Sequence, residues 1–172
     1  MRATQQIRAS IPTICVVGRS GVGKTTLLEN LIRELKRRGY RVATVKHHHQ
    51  PGLEIDQPGK DSWRHAQAGS DFVVIGAPDE LASIRRVDRE PTLDEVVAGF
   101  SGVDVILVEG YKWANSPKIE VMRAERSLEP VCAPDELLAI ASDVIGPSYD
   151  VPHFNLEDVV GLANLIETHF PH

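Results

Sequence analysis

The amino-acid sequence predicts an α/β fold of the three-layer sandwich kind, with a mostly parallel sheet between helices and one antiparallel hairpin added. Three features predict it. Residues 13–17, Thr-Ile-Cys-Val-Val, are an apolar run of strand length, and residues 24–38 then carry Leu27, Leu28, Leu31, Ile32 and Leu35 at helical spacing. Residues 41–46 form a second β-branched run, so strand, helix and strand make a right-handed βαβ unit, which joins parallel strands. Residues 103–108 are apolar at every position but Asp104, the mark of a strand covered on both faces.

Between the first strand and the first helix lies Gly18-Arg19-Ser20-Gly21-Val22-Gly23-Lys24-Thr25, which fits the phosphate-loop pattern G-x-x-x-x-G-K-[ST]. Its strand-loop-helix setting is the one the motif requires. Glycines let the backbone turn its N–H groups inward as an anion nest, and the helix adds its positive N-terminal end. Gly18, Ser20, Gly21, Val22, Gly23 and Thr26 are therefore expected around the phosphates of a nucleotide. Lys24 is expected on the β- and γ-phosphates as a point charge, and the Thr25 hydroxyl on Mg²⁺. The fold class is accordingly that of the P-loop NTPases, with residues 11–172 as one nucleotide-binding domain and residues 1–10 as a polar, frayed tail.

Bulk properties agree with a soluble globular enzyme or binding protein. The chain has 172 residues, 42% hydrophobic and 25% charged, with a net charge of −5. That balance argues against a general nucleic-acid-binding face. No apolar run approaches the roughly 20 residues of a membrane-spanning helix, and the first ten residues lack the apolar core of a secretory signal. The two cysteines, Cys15 and Cys132, form no CxxC pair. Cys15, in the first strand, reads as a buried structural thiol, and a reducing cytoplasm is the expected location.

Beyond the second strand the chain is aimed at the phosphates, because ligands of such sheets sit at the carboxyl ends of the strands. Lys46 and His47 open a stretch without period that runs to Lys60, with His47-His48-His49 adjacent. Adjacent side chains alternate in extended chain, so His47 and His49 alone share a face, and no cysteine stands nearby to complete a zinc site. Anion or substrate contact by Lys46 and His47 is the favoured reading. Asp56 is either a Mg²⁺ ligand or a turn residue beside Pro58-Gly59.

A short helix capped by Asp61 or Ser62 is expected over 63–68, then a hairpin of strands over 71–76 and 81–87. Thr92 and Glu95 match a capping box before a helix reaching about residue 100. The buried strand of residues 103–108 ends at Glu109, where a P-loop protein places the acid that acts on Mg²⁺ or its waters. Asp104 stands on the order of 16 Å away at the other edge. Residues 118–123 alternate polar and apolar, a half-exposed strand, and Lys112 and Lys118 are either contacts to a second anionic molecule or solvated lysines. Residues 137–141 are a further buried strand, after which Asp143 is placed to accept from the N1–H and amino group of a guanine, although the N-K-x-D signature is missing. A last helix is expected over 156–169, with Leu162, Leu165 and Ile166 inward.

Together these residues resemble the molybdopterin-guanine dinucleotide biosynthesis protein B (MobB) family. The resemblance rests on the loop from Gly18 to Thr25, on Lys46-His47, and on Asp56 followed by Pro58-Gly59-Lys60-Asp61-Ser62. It continues through Arg64, Ala68-Gly69, Glu109-Gly110-Tyr111-Lys112 and Pro117-Lys118-Ile119-Glu120-Val121, and so covers residues 13–143. Ser70 and Pro51-Gly52 depart from the pattern. The resemblance implies a GTP-binding, weakly hydrolytic homodimer that assists the MobA-type guanylyltransferase of molybdenum cofactor maturation, with molybdopterin as the other molecule handled. GTP and Mg²⁺ are then the expected cofactors. Lys24, Glu109 and Arg64 are the expected catalytic set, Thr25, Asp56 and Glu109 the metal ligands, and Lys46, His47, Lys60, Lys112 and Asp143 further binding residues. Two other readings stay open on the residues: a small-molecule kinase using ATP, with Asp56 or Glu109 orienting an acceptor hydroxyl, and a nickel-delivery GTPase using His47 to His49.

Overall fold

The computed structural model describes residues 11–144 and 150–170, and the tail expected at residues 1–10 lies outside the described residues. In chain order the elements are β1 (Thr13–Val17), α1 (Lys24–Arg37), β2 (Val42–Lys46), α2 (Asp61–Gln67), β3 (Phe72–Gly76), β4 (Leu81–Arg85), α3 (Leu93–Val97), β5 (Val105–Glu109), β6 (Lys118–Met122), a 3₁₀ turn (Pro134–Glu136), β7 (Leu137–Ser142), β8 (His153–Asn155) and α4 (Val159–His169). They fall into two compact units, residues 48–92 and the rest.

The larger unit is built on a six-stranded sheet in the order β2-β5-β1-β6-β7-β8, every pair parallel. The alternation of side chains along each strand sorts the apolar residues into two cores. Ile14 and Val16 of β1, with Val105 and Leu107 of β5, pack with Leu27, Leu31 and Leu35 of α1 and Leu162 and Ile166 of α4. Cys15 and Val17, with Ile106 and Val108, pack with Leu93 of α3 on the other face. This is why β1 and β5 read as unbroken apolar runs, and it accounts for the three layers. Burial raises the Cys15 thiol to about 11, which keeps it protonated and inert.

β6 departs from the sequence expectation. All five of its residues are buried, between β1 and β7. Lys118 and Glu120 alternate with apolar residues as a half-exposed strand would, but flanking chain covers them and supplies their partners. Lys118 Nζ donates to the Ala114 carbonyl (2.8 Å) and to Glu136 (2.9 Å). Glu120 accepts from the backbone N–H of Val131 (2.6 Å) and Cys132 (3.3 Å). Lys118 is thus an internal tether, neither a solvated lysine nor an anion contact.

In the smaller unit β3 and β4 pair antiparallel from Phe72↔Arg85 to Gly76↔Leu81, the expected hairpin, as a two-stranded sheet of its own. Helix α2 begins at Asp61, with Lys60 at its cap and no side-chain capping bond, so the expected start at Trp63 moves forward by two residues. The Phe72, Val74, Ile75 and Leu81 side chains of the hairpin are exposed.

Candidate functional site

The carboxyl ends of β1, β2 and β5 bring four of the expected residues together. β2 and β5 are in register with Lys46 opposite Glu109, and β1 pairs Val16 with the same glutamate. The loop after β1 then returns its chain to start α1 at Lys24, with Gly18, Gly21 and Gly23 at φ of 139°, 76° and 100°. At Gly18 a side chain is excluded twice, by that φ and by the Val121 carbonyl, into which a Cβ would run.

Thr25 Oγ1 donates to Glu109 Oε2 (3.0 Å), which joins the start of α1 to the end of β5. Lys46 Nζ lies 3.6 Å from Glu109 Oε1. Lys24 Nζ donates to the loop carbonyls of Gly18 (3.1 Å) and Arg19 (2.8 Å). Partial burial lowers the Lys24 pKa, the Glu109 carboxylate opposes that, and the Lys46 charge adds to it. Hydroxyl, carboxylate and two ammonium groups in one place suit a phosphate chain and a hard cation. Asp104, excluded on distance, is engaged at the other end of the sheet, where it accepts from the Arg41 backbone and guanidinium (2.7 Å each).

His47 continues from Lys46, and its backbone N–H donates to the Glu109 carbonyl (2.9 Å). Its ring packs on Tyr111 (4.6 Å) and edge-on to Trp113 (4.9 Å). Tyr111 has φ of 51°, the one described non-glycine residue in the left-handed region. Lys112 follows it, and its carbonyl is 3.9 Å from Cys132 Sγ.

Along the other flank of α1 is a cavity of about 360 Å³, lined by Gly23, Thr26, Arg123, Asp143 and Asn155 among others. Asp143 stands just after β7 and lines this cavity. Its Oδ1 accepts from the Ala124 N–H (2.9 Å). Arg123 and Arg126 stand at this end of the loop and were missed by sequence reasoning. They fall after β6 outside any motif, and only the fold brings that turn beside Gly21 and Gly23.

Asp56, Lys60 and Arg64 belong to the smaller unit. Asp56 Oδ1 accepts from the Gln57 N–H (2.8 Å), while its Oδ2 is buried with no hydrogen-bond partner among the described residues. Lys60 caps α2, and Arg64 lies 3.6 Å from Asp61. Among the described residues no three His, Cys, Asp or Glu side chains gather as a metal-binding group.

Comparison with known proteins gives one consistent answer. The family model described as MobB, molybdopterin guanine dinucleotide synthesis protein B, matches residues 13–143. The chain is 40% identical to the molybdopterin-guanine dinucleotide biosynthesis adapter protein of Haemophilus influenzae, over 77% of this chain and 75% of the relative. It is 34% identical to the adapter protein of Escherichia coli, over 92% of this chain and 93% of the relative. Among solved structures it is similar to a molybdopterin-guanine biosynthesis protein B at a TM-score of 0.70 and 30% identity, covering 92% of this chain and 99% of that one. The Bacillus subtilis MobB structure gives a TM-score of 0.73 at 26% identity, covering 93% and 98%.

Proposed function

The chain belongs to the MobB family of molybdopterin guanine dinucleotide synthesis proteins, and on that premise we propose that it is a GTP-binding adapter in the making of that cofactor, with slow hydrolysis at most. The observation that carries the nucleotide reading is the Thr25–Glu109 hydrogen bond of 3.0 Å at the mouth of the phosphate loop. The hydroxyl and carboxylate it joins are two hard oxygen donors, which fit Mg²⁺. When bound, Mg²⁺ neutralises the phosphate chain and polarises it.

The chain's own residues do the rest. The loop N–H groups and Lys24 bind the β- and γ-phosphates, and Lys46 adds a second cation beside them. His47 borders this edge. The base would lie in the cavity beside Thr26, where Asp143 accepts from a donor edge. Guanine presents N1–H and an amino group there, whereas adenine presents an acceptor and leaves the carboxylate facing it uncompensated. Lys112 and, on the smaller unit by itself, Lys60 and Arg64 would serve as contacts for anionic groups, including those of molybdopterin. Among the described residues no arginine belongs to the Thr25–Glu109 cluster, and slow turnover with delivery to a MobA-type guanylyltransferase is the biological act proposed.

Calorimetric titration with GTP and with ATP, each with Mg²⁺, tests this. GTP is expected to bind at least about tenfold more tightly, a difference of about 1.4 kcal/mol, and Lys24→Ala to abolish binding of either. Equal affinities, or an ATP preference, would overturn the guanine reading and bring forward a kinase.

The partner surface proposed is a second copy of the chain, joined through the exposed apolar hairpin. Sedimentation should then give a dimer that Leu81→Asp converts to monomer, and a monomeric parent protein would sink the idea. Among the described residues no helix is long and apolar enough to cross a membrane.

A further inference from the structure

Two guanidinium groups lie against the phosphate loop, both from the turn that follows β6, and Arg123 also lines the cavity beside Thr26. Arg123 Nε donates to the Val22 carbonyl (3.3 Å). A methyl group placed on Gly23 would sit 3.3 Å from Arg123 Nη2, and one on Gly21 would sit 3.6 Å from Arg126 Nε. The turn that carries them is itself held. The N–H groups of Arg126 and Ser127 both donate to the Arg123 carbonyl (2.9 Å), and Ala124 N–H donates to Asp143 (2.9 Å). The loop's own arginine, Arg19, is engaged elsewhere, by Glu129 at 2.7 Å.

An anion nest has a structural cost on its far side. When N–H groups turn inward to a ligand, the carbonyls between them turn outward and need donors. Arg123 supplies one to Val22, next to Gly23, whose φ of 100° makes the turn. That task needs a directed N–H at the base of the guanidinium, which a lysine does not have. Arg126 is exposed and has no such bond among the described residues, so what it brings to the loop is charge.

We propose that the turn at residues 123–127 is a cationic strap on the phosphate loop, with Arg123 a positioning residue that fixes the nest and Arg126 a charge that favours nucleoside di- and triphosphates over monophosphates. The proposal rests on the nucleotide reading above. It deepens that reading by adding two residues that no motif contains.

The two roles separate in one experiment: titration of the full chain and its variants with GTP and with GMP, in Mg²⁺, at two salt concentrations. Arg123→Lys, which keeps the charge, should weaken GTP binding about tenfold. Arg126→Lys should change it by less than about twofold, whereas Arg126→Ala weakens it about fivefold and flattens its salt dependence. GMP should respond less than GTP in all three. Without nucleotide the melting temperature should stay at the parent value in both Arg126 variants and fall in Arg123→Lys, which leaves the Val22 carbonyl without its donor, whereas a merely structural arginine would reduce GTP and GMP binding alike.

If Arg123→Lys binds GTP like the parent, or if GTP and GMP fall in step, the strap has no role in phosphate selection. If Arg126→Ala binds GTP as the parent does, its charge is irrelevant. A parent chain that binds neither GTP nor ATP overturns the nucleotide reading as well. The other two failures leave that reading standing.

Discussion

Lys46 and Glu109, at the carboxyl ends of β2 and β5, face each other at 3.6 Å with the lysine side chain 68% exposed. Lys118, at the start of β6, meets Glu136 at 2.9 Å with its side chain 2% exposed. The residue types are the same, and their surroundings give them opposite work. The first lysine is held loosely at a strand end where ligands of a parallel sheet bind. The second is sealed under chain, where its ammonium ties the segment after Tyr111 and the 3₁₀ turn to the sheet. A lysine near the site by sequence is therefore a binding residue only if the fold leaves it reachable.

The largest expected effect comes from breaking the buried tether. Lys118→Met should destabilise the protein by about 2 kcal/mol, below the usual cost of breaking a buried pair because Glu136 can rehydrate. The Ala114 carbonyl then loses its donor. Urea denaturation reads the loss, and a change under about 0.5 kcal/mol would mean that the tether is ornamental and the contrast with Lys46 false.

Glu120 sharpens the same contrast with a carboxylate. Both of its oxygens accept backbone N–H groups, so Glu120→Gln turns an amide NH₂ towards one of them and should cost about 1–2 kcal/mol. Burial raises its pKa, against the pull of the Val131 and Cys132 N–H groups and of Arg19. A carboxyl whose folded pKa is raised stabilises fully below its unfolded pKa, near 4.5, and that contribution is lost as pH rises through the folded value. In the glutamine variant this part of the pH–stability profile should be flat. A profile that keeps the parent's slope there would assign the slope to other groups.

The fold was legible where local pattern and burial coincide. The runs of β1 and β5 are apolar because both faces are covered, and the glycine loop with Lys24 and Thr25 declares itself within eight residues. The place of Glu109 at the end of β5 was legible because the apolar run before it sets where the strand stops. β6 misled because period-2 alternation reports chemistry, and only covering chain from far along the sequence makes Lys118 and Glu120 internal. β8 went unseen because three residues carry no period. Arg123 and Arg126 were unreadable for a related reason, since their task is defined by the strand order β1-β6, which sequence does not state.

The smallest change in stability belongs to the exposed partner of the comparison. Lys46→Met should move the unfolding free energy by less than about 0.5 kcal/mol, as exposed ion pairs do, yet should weaken GTP binding several-fold by removing a cation beside the phosphates. It also has a signature in pH. The charge of Lys46 is one of the causes that lower the Lys24 pKa, after burial. In the proposed reading Lys24 binds phosphate when protonated, so affinity should fall as pH rises through that depressed pKa. Without Lys46 the repulsion is gone, the Lys24 pKa moves back up, and the fall in affinity should begin at higher pH in the variant than in the parent. Parallel titrations across alkaline pH decide it. If the two curves fall together, Lys46 does not act on Lys24 through charge, and the strand-end pair is no closer to the phosphates in function than the buried one.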